Sequence, residues 1–497
     1  MNLTILLWLP LAAVVAGLIL PATEARFAAL LGSAATLVLS IVLLVKFDTG
    51  EKGLQFVIDK VWISELGIHY KLGVDGLNLF LIVLAAVLFF ASIVWSAFRE
   101  WDRPRLFYLW FGLAESGVLG ALMAQDLALF VIFFDLMLVP FLFLGGGWGT
   151  PENRVASMVK LFIYTLVGSL LMLSAAVATG VLAPGDSVTF DIAQLSSAAR
   201  RLPVGSQEWI FLFFAAAFLV KMPAFPVHGW MPDGYRAMPM PVLAVFSGIL
   251  SKVAAYGFLR IALPVFPDAA VHFQELVLLI ALASVLYGSA MAFTTSDVRL
   301  ILGYSSVAQL GFITLGIFSL KDTGAQGALL QAFNHGLVVA PAFFICALLA
   351  ARAGGSEDIR DMGGIAFRAP VLATLFLIVA FANLAMPGSS NFVGEFFILL
   401  GVFTSKIVIA IVAFTGVALA SVYTLRLFIR AVHNRVGPHV ESREISLTDG
   451  LVVAPLVVLI LAIALYPQIA LKRSQDAVQA SIRDAKALTQ PAREASR

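Results

Sequence analysis

Long apolar runs separated by short polar connections dominate the chain. A helix needs about 18 or more apolar residues to cross the hydrocarbon core of a bilayer, and roughly fourteen runs reach that length. We therefore predict an all-α polytopic membrane protein with about fourteen transmembrane helices. The predicted spans cover residues 3–20, 26–46, 75–98, 106–124, 127–146, 158–183, 209–235, 240–263, 273–293, 299–319, 326–351, 369–400, 407–431 and 448–467.

Two connections and the tail are long and polar. Within Asp48–Gly73, the stretch Leu54–Val61 alternates apolar and polar side chains, which indicates a short hairpin. The connection Gly185–Gln207 has a similar composition. The tail after Pro467 carries charges of both signs, and we expect it to be amphipathic or frayed.

Lysine and arginine residues are unequally divided between the two sets of connections. By the positive-inside rule, the arginine-rich side is cytoplasmic, so both termini are expected on the outer side of the membrane. Lys46, Lys60, Arg200 and Arg201 are exceptions in the outer connections. The arginines on the predicted cytoplasmic side are Arg26, Arg99, Arg103, Arg105, Arg154, Arg236, Arg299, Arg352, Arg360, Arg368, Arg430 and Arg435.

Spans four to eight and nine to thirteen form two groups of five, and an odd number of spans inverts the second group. The fourth span of each group is interrupted by proline or glycine, at residues 221–226 and 386–391. Such paired interruptions are typical of inverted repeats in ion transporters, with ion sites at the interruptions. We expect an N-terminal three-helix segment (1–104), a first antiporter-like repeat (105–265), an inverted second repeat (270–433), and a last helix with its tail (434–497).

The composition agrees with a membrane protein and restricts its chemistry. Of 497 residues, 61% are hydrophobic and 12% are charged, and the mean hydropathy is +0.97. A net charge of +2 gives no reason to expect nucleic acid as a partner. One cysteine, Cys346, cannot hold an iron–sulfur cluster, and the six histidines lack metal-ligand spacing. We expect no cofactor or metal on this chain, so any redox chemistry belongs to another chain.

Lys221 lies about a dozen residues into the apolar run Trp209–Val227, with Pro223 and Pro226 directly behind it. At about 1.5 Å per residue it is about 18 Å deep, near the middle of a hydrocarbon layer about 30 Å thick. A buried ammonium and a proline-broken helix are both costly. Because both costs occur at the same position, the sequence indicates a lined cavity at this break and an ion that moves through it.

Four other ionisable residues are predicted at similar depth on four other spans: Asp135, Lys252, His335 and Glu395. Burial raises the pKa of a carboxyl group and lowers that of a lysine, whereas an opposite charge nearby does the reverse. A change in a partner's charge can therefore make a buried lysine release or accept a proton near neutral pH. This composition favours protons over sodium, which prefers clustered carboxylates and carbonyls. Alternatively, each residue is a static paired group, and His335 a core histidine.

Three further residues are secondary candidates. Glu115 is a buried carboxylate without an assigned partner, and His228 follows the break in span seven, where water can reach it. Lys160 begins span six and has a second interpretation as an interfacial lysine whose ammonium reaches the headgroups.

At these residues the chain resembles the antiporter-like subunits of respiratory complex I, a superfamily that also includes cation/proton antiporter complexes. The stretch with a lysine at the break and its His-Gly-Trp-Met-Pro-Asp continuation are specific to that superfamily. The second broken helix of this chain carries a glutamate, Glu395, and in this respect the chain resembles the M-type subunits. L- and N-type subunits typically have a lysine at that position. The matching stretches are Asp135–Pro140, Lys160–Thr165, Lys221–Asp233, Tyr304–Phe312 and Pro387–Phe396.

The resemblance implies a fold of fourteen helices and a role for each candidate. Asp135 and Lys221 would form the coupled pair of one half-channel, Lys252 and His335 the central relay, and Glu395 the outlet-side group. The family usually has glutamate where Asp135 stands. It often has histidine where Gln309 stands, which makes Gln309 a further secondary candidate.

The resemblance therefore implies a proton-translocating membrane subunit of an NADH–quinone oxidoreductase in the bacterial cytoplasmic membrane. By this resemblance, flavin, iron–sulfur clusters and quinone are expected on partner subunits, and the partners are L- and N-type neighbours and the peripheral redox arm. A cation/proton antiporter subunit without redox coupling is the alternative. A structural membrane scaffold is a third interpretation, which buried charges on so many helices disfavour.

Overall fold

The computed structural model describes residues 2–150, 152–185, 187–441 and 443–489. Residues 490–497, the end of the predicted tail, lie outside this range. The N-terminal segment contains α1 (Leu3–Gly17), α2 (Ala25–Lys46) and α3 (Leu79–Ala97). The polar connection between α2 and α3 forms the predicted hairpin, in which β1 (Gln55–Ile63) pairs antiparallel with β2 (Ile68–Val74).

The middle of the chain contains both long helices and short ones that end at prolines. Its helices are α4 (Pro104–Met123), α5 (Leu127–Leu136), α6 (Val139–Trp148), α7 (Arg154–Leu182), α8 (Ile192–Ala198), α9 (Val204–Lys221), α10 (Met231–Ala237), α11 (Met240–Val245), α12 (Ser251–Gly257), α13 (Leu263–Val265) and α14 (Pro267–His272).

The last part of the chain is built in the same way. Its helices are α15 (Gln274–Thr294), α16 (Val298–Phe318), α17 (Asp322–Arg352), α18 (Pro370–Asn383), α19 (Ser390–Ser405), α20 (Ile407–Val432), α21 (Leu447–Leu465) and α22 (Gln468–Thr489).

The predicted fold class is confirmed. Among the described residues, 12 helical segments are long and apolar enough to cross a membrane. Shorter α1 supplies one more crossing, and α18 and α19 together supply another, which accounts for the fourteen predicted spans. The helices at the centre are buried on all sides: every residue of α16 is buried, as is an entire 18-residue stretch of the segment Met240–Val265. Only 33% of the corresponding stretch of α20 is buried, and that helix has exposed apolar side chains.

One detail differs from the sequence-based expectations, and two add to them. The connection 185–207 contains the helix α8 and a following 3₁₀ turn. The tail, predicted to be amphipathic or frayed, forms one continuous helix, α22, through Thr489, which buries one face. Predicted span five is two helices, α5 and α6, which meet at Met137 and Leu138.

Pro140 explains the break in span five. Proline has no N–H to bond the carbonyl of Leu136, and its ring crowds that carbonyl. The chain tightens there, so the Leu138 N–H bonds to Asp135 O at 3.1 Å. The carbonyl of Phe134, four residues before Leu138, is thereby freed from the helix ladder.

The segment Met240–Val265 is continuous but irregular. Two π-helical stretches, Phe246–Leu250 and Phe258–Ala262, lie on either side of α12. A π-helical turn inserts one residue into the i→i−4 ladder and shifts the helix face, and such turns occur frequently at functional sites. In this segment, the two π-helical stretches determine the direction in which the side chains of α12 point.

Candidate functional site

Lys221 is the last residue of α9, at the first helix break. Its Nζ donates a hydrogen bond to the freed carbonyl of Phe134 at 3.0 Å and lies 3.8 Å from the centroid of the Phe134 ring. The side chain is buried, and the negative ends of the α5 and α9 dipoles both favour a cation there. The Trp230 indole caps the break by donating to the carbonyl of Val220 at 3.0 Å.

Asp135 is adjacent to Phe134 in α5 but has a different partner. Its carboxylate accepts a hydrogen bond from the Ser169 hydroxyl on α7. No ion pair joins Asp135 and Lys221 within the part of the chain that the structure describes. The Lys221 ammonium therefore bonds to the Phe134 carbonyl, one residue before Asp135. The ammonium and the Asp135 carboxylate both lie at the C-terminal end of α5 but do not contact each other.

A cavity of about 10 Å³ lies next to Lys221, enough for about one water molecule. Thr165, Lys221 and Ser251 line it together with apolar side chains. The Ser251 hydroxyl is buried and has no hydrogen-bond partner among the described residues. Ser251 directly precedes Lys252 in the chain, whereas Lys221 is the lysine that lines the cavity itself.

Lys252 is fully buried on α12, with no exposed side-chain surface. Its Nζ donates to the Ser247 carbonyl at 2.6 Å. Ser247 lies in the preceding π-helical stretch, and its hydroxyl is 3.4 Å from that of Ser306 on α16. The irregular helix thus supplies a backbone oxygen to Lys252, which bonds to no carboxylate in the described part of the chain.

His335 on α17 is fully buried, and neither ring nitrogen has a partner among the described residues. A Cβ at its neighbour Gly336 would lie 2.4 Å from the Gly248 carbonyl oxygen, so α17 and the π-helical stretch are in backbone contact there. Only glycine permits this approach, which brings the helices of Lys252 and His335 together.

Glu395 lies on α19, just after the second helix break. Its Oε1 accepts hydrogen bonds from Gln309 Nε2 at 2.7 Å and from Gln331 Nε2 at 3.4 Å. Gln331 also donates to Gln309 Oε1 at 2.8 Å. All three side chains are buried, so the carboxyl group is held by neutral amides from α16 and α17.

Further polar groups lie on α17 and α19, the helices that carry His335 and Glu395. Asn334 Nδ2 donates to the Ser390 carbonyl at 2.6 Å. The side-chain amide of Asn391 and the Ser390 hydroxyl are buried without partners in the described ranges. Gln331 and Asn391 were not among the predicted site residues. Both side chains are uncharged, and the sequence signal that marks them is a polar residue within an apolar helix.

The secondary candidates have different environments. Both carboxylate oxygens of Glu115 are buried and unpartnered within the described chain. Lys160 pairs with Asp233 at 2.7 Å, and both side chains are more than 40% exposed, which supports its interfacial interpretation. His228 is buried in the first break, with its ring centroid 4.7 Å from that of Tyr287.

These features define a polytopic membrane protein of ion-transporter type, with buried ionisable side chains at and between two helix breaks. Residues 124–421 match the family described as NADH:quinone oxidoreductase/Mrp antiporter, TM. The chain belongs to this family, and within it to the proteins named NADH-quinone oxidoreductase subunit M.

Several relatives are similar over nearly their full length. NADH-quinone oxidoreductase subunit M of Rhodobacter capsulatus is 35% identical, over 94% of this chain and 93% of the relative. The protein of the same name from Mycobacterium tuberculosis (strain ATCC 25618 / H37Rv) is 34% identical, over 93% of this chain and 90% of the relative.

Two solved structures have the same fold. A chain of respiratory complex I from Thermus thermophilus with bound NADH superposes with a TM-score of 0.88 at 28% identity, covering 98% of this chain and 100% of the other. A chain of the Mrp complex from Dietzia sp. DQ12-45-1b gives a TM-score of 0.82 at 21% identity, covering 97% and 99%. The second similarity shows the fold alone.

Proposed function

We propose that this chain is a proton-translocating membrane-arm subunit of an NADH–quinone oxidoreductase. The observation that carries the proposal is the placement of five ionisable residues on five helices, in a chain similar to subunit M throughout. Lys221 and Glu395 lie at the two breaks, and Lys252 on α12 and His335 on α17 lie between them in the chain.

The proposed route begins at Asp135 and Lys221. A charge change near Asp135 alters how strongly Lys221 holds its proton, because unscreened charges in a buried site shift each other's pKa by several units. One water in the adjacent cavity carries the proton past Ser251 to Lys252. His335 then passes it toward Glu395, whose amide partners hold the carboxyl group in position.

The redox chemistry belongs to other chains in this proposal. Flavin, iron–sulfur clusters and quinone are held by partner subunits, and L- and N-type antiporter-like subunits are the membrane neighbours. The chain lies in the bacterial cytoplasmic membrane with both termini outside. Its own part in the enzyme is to move protons in response to quinone reduction elsewhere.

Purification of the tagged, full-length chain from its own membranes tests this function. We expect flavin- and iron–sulfur-containing subunits to co-purify, and inverted vesicles containing the chain to take up protons on addition of NADH.

The fold shared with the Mrp complex favours one alternative, a cation/proton antiporter subunit. Purification without redox subunits, together with proton movement driven by an imposed sodium gradient, would support that alternative and contradict the proposal.

Asp135→Asn is expected to lower NADH-driven proton uptake roughly fivefold, because the amide keeps a hydrogen bond to Ser169 but carries no charge to influence Lys221. Asp135→Glu retains the charge and extends it by one methylene toward Lys221, so we expect uptake close to that of the unmodified protein. Dye-quenching rates in inverted vesicles, divided by the amount of assembled complex, give the comparison. Equal rates in the two variants would contradict a role for the charge.

A further inference from the structure

Asp135 and Lys221, the two charges of the proposed first step, each have a separate partner. The Lys221 ammonium donates to the Phe134 carbonyl at 3.0 Å and lies 3.8 Å from the centroid of the Phe134 ring. Phe134 therefore holds the ammonium both by its backbone dipole and by its aromatic face. The Asp135 carboxylate accepts a hydrogen bond from the Ser169 hydroxyl on α7. The two charges are thus held apart by two uncharged residues.

The two charges are nevertheless within reach of each other. The Phe134 carbonyl oxygen lies about 3 Å from the Asp135 Cα across one planar peptide. Because the Lys221 Nζ is 3.0 Å from that oxygen, it lies at most about 6 Å from the same Cα. An aspartate carboxylate extends about 3 Å from its Cα. A carboxylate turned toward Lys221 could therefore meet the ammonium without movement of the backbone.

Every group keeps a hydrogen-bond partner when the carboxylate turns. A lysine ammonium has several donors, and among the described residues Lys221 uses one of them, on Phe134. The ammonium can therefore bond to Asp135 and keep its contact with Phe134. A serine hydroxyl in a helix can donate to the carbonyl four residues earlier, which for Ser169 is that of Thr165. The two arrangements thus differ mainly in the position of one carboxylate.

Both partners are fixed by packing. A Cβ at Gly168 would lie 3.3 Å from the Ala217 Cα on α9, so α7 and α9 are in close contact about one turn before Lys221. Ser169, the next residue of α7, is buried, and the Phe134 side chain is fully buried. The carboxylate is therefore the part of this arrangement that can move.

Other ionisable groups stand on the elements around Lys221: Lys160 on α7, His228 in the break, Asp233 and Tyr235 on α10, and Lys252 on α12. None of them bonds to Lys221 in the described part of the chain. Lys160 and Asp233 pair with each other at 2.7 Å on the surface. The carboxylate whose position decides the charge beside Lys221 is therefore that of Asp135.

We propose that Ser169 and Phe134 are positioning residues that hold the Asp135–Lys221 pair open. The Ser169 hydroxyl retains the carboxylate, and Phe134 retains the ammonium, until an arriving charge turns the carboxylate toward Lys221. Lys221 then holds its proton more firmly. When the carboxylate returns to Ser169, Lys221 releases the proton to the water of the adjacent cavity and becomes neutral. The inference rests on the proposed function and names the two residues that control its first step.

Ser169→Ala removes the partner that retains the carboxylate, which then stays beside Lys221 and stabilises the ammonium. We expect proton uptake per NADH oxidised to fall about threefold near neutral pH. The alkaline limb of its pH profile should move up by about 0.5 unit or more. Ser169→Thr keeps a hydroxyl and should restore both values. Ser174→Ala, at an exposed serine of α7 that bonds to its own backbone, is the control and should change neither.

Phe134→Leu leaves the backbone carbonyl in place and removes the aromatic face. Because the ammonium loses stabilisation, we expect the alkaline limb to move down by about 0.5 unit or more, opposite in sign to Ser169→Ala. Phe130→Leu is the matched control and should leave the limb unchanged. The Phe130 ring is fully buried one helical turn earlier, 5.3 Å from the Phe134 ring between centroids. Dye quenching in inverted vesicles, divided by NADH oxidised at each pH, gives the profiles.

Opposite shifts support the positioning roles, because a loss of packing alone would not move the profile in two directions. Shifts of the same sign, or none, in assembled complexes overturn them. Adding Ser169→Ala to Asp135→Asn should cause no further shift, and a further shift also overturns the inference. If Lys221→Met still abolishes uptake, only the positioning roles have failed; if that variant pumps normally, the proposed function itself has failed.

Discussion

Replacing Lys221 by methionine is expected to lower NADH-driven proton uptake about tenfold or more while the chain still folds and assembles. Methionine has a similar length and no proton to transfer. Among the residues that the structure describes, the Lys221 ammonium bonds to the Phe134 carbonyl and to no carboxylate, so its loss breaks no ion pair there. The unpaired carbonyl costs about 1–3 kcal/mol. Removal of a buried charge offsets part of that cost.

The measurement is the rate of dye quenching in inverted vesicles, compared with NADH oxidation by an artificial electron acceptor. Lys406→Met is the matched control, because Lys406 pairs with Glu275 at 3.0 Å on the exposed surface. A surface pair of this kind contributes about 0–1 kcal/mol, and we expect its loss to leave pumping unchanged. Normal pumping by Lys221→Met in an assembled complex would contradict the proposed function.

The sequence was sufficient to predict the fold class and the number of membrane-spanning segments, because each segment has its own apolar run. It also located both interruptions, at Lys221–Pro226 and at Met386–Asn391, since proline and glycine stand beside polar residues there. The break at Met137 was missed. Pro140 was visible, but a proline in a membrane helix is often accommodated by its neighbours, so the sequence alone did not decide between a kink and a break.

The burial of Lys221, Lys252, His335 and Glu395 was predictable one residue at a time, because each ionisable side chain stands in an apolar run. The hydrogen-bond partners of these side chains were harder to predict from the sequence. Lys221 bonds to a backbone carbonyl, and Glu395 is held by Gln309 and Gln331 from two other helices. The π-helical stretches that orient Lys252 depend on packing around a buried segment, and no local pattern marks them.

The hydrogen bonds around Glu395 allow a test of whether this residue belongs to a proton relay or to a structural scaffold. A scaffold needs the hydrogen bonds among Glu395, Gln309 and Gln331, whereas a relay also needs a group that gains and loses a proton. Glutamine at position 395 has the same shape and keeps an oxygen that accepts from Gln309 Nε2. We therefore expect Glu395→Gln to change the free energy of unfolding by no more than about 1 kcal/mol.

Its effect on transport is expected to be much larger. Glu395→Gln should lower NADH-driven proton uptake about tenfold, because an amide cannot carry the proton that His335 delivers. Glu275→Gln, at an exposed carboxylate of α15, is the control and should pump normally. Uptake in inverted vesicles and the thermal stability of the purified complex are measured together. Unchanged uptake in Glu395→Gln would make the amide–carboxyl cluster purely structural, whereas lost uptake with unchanged stability assigns the proton to Glu395.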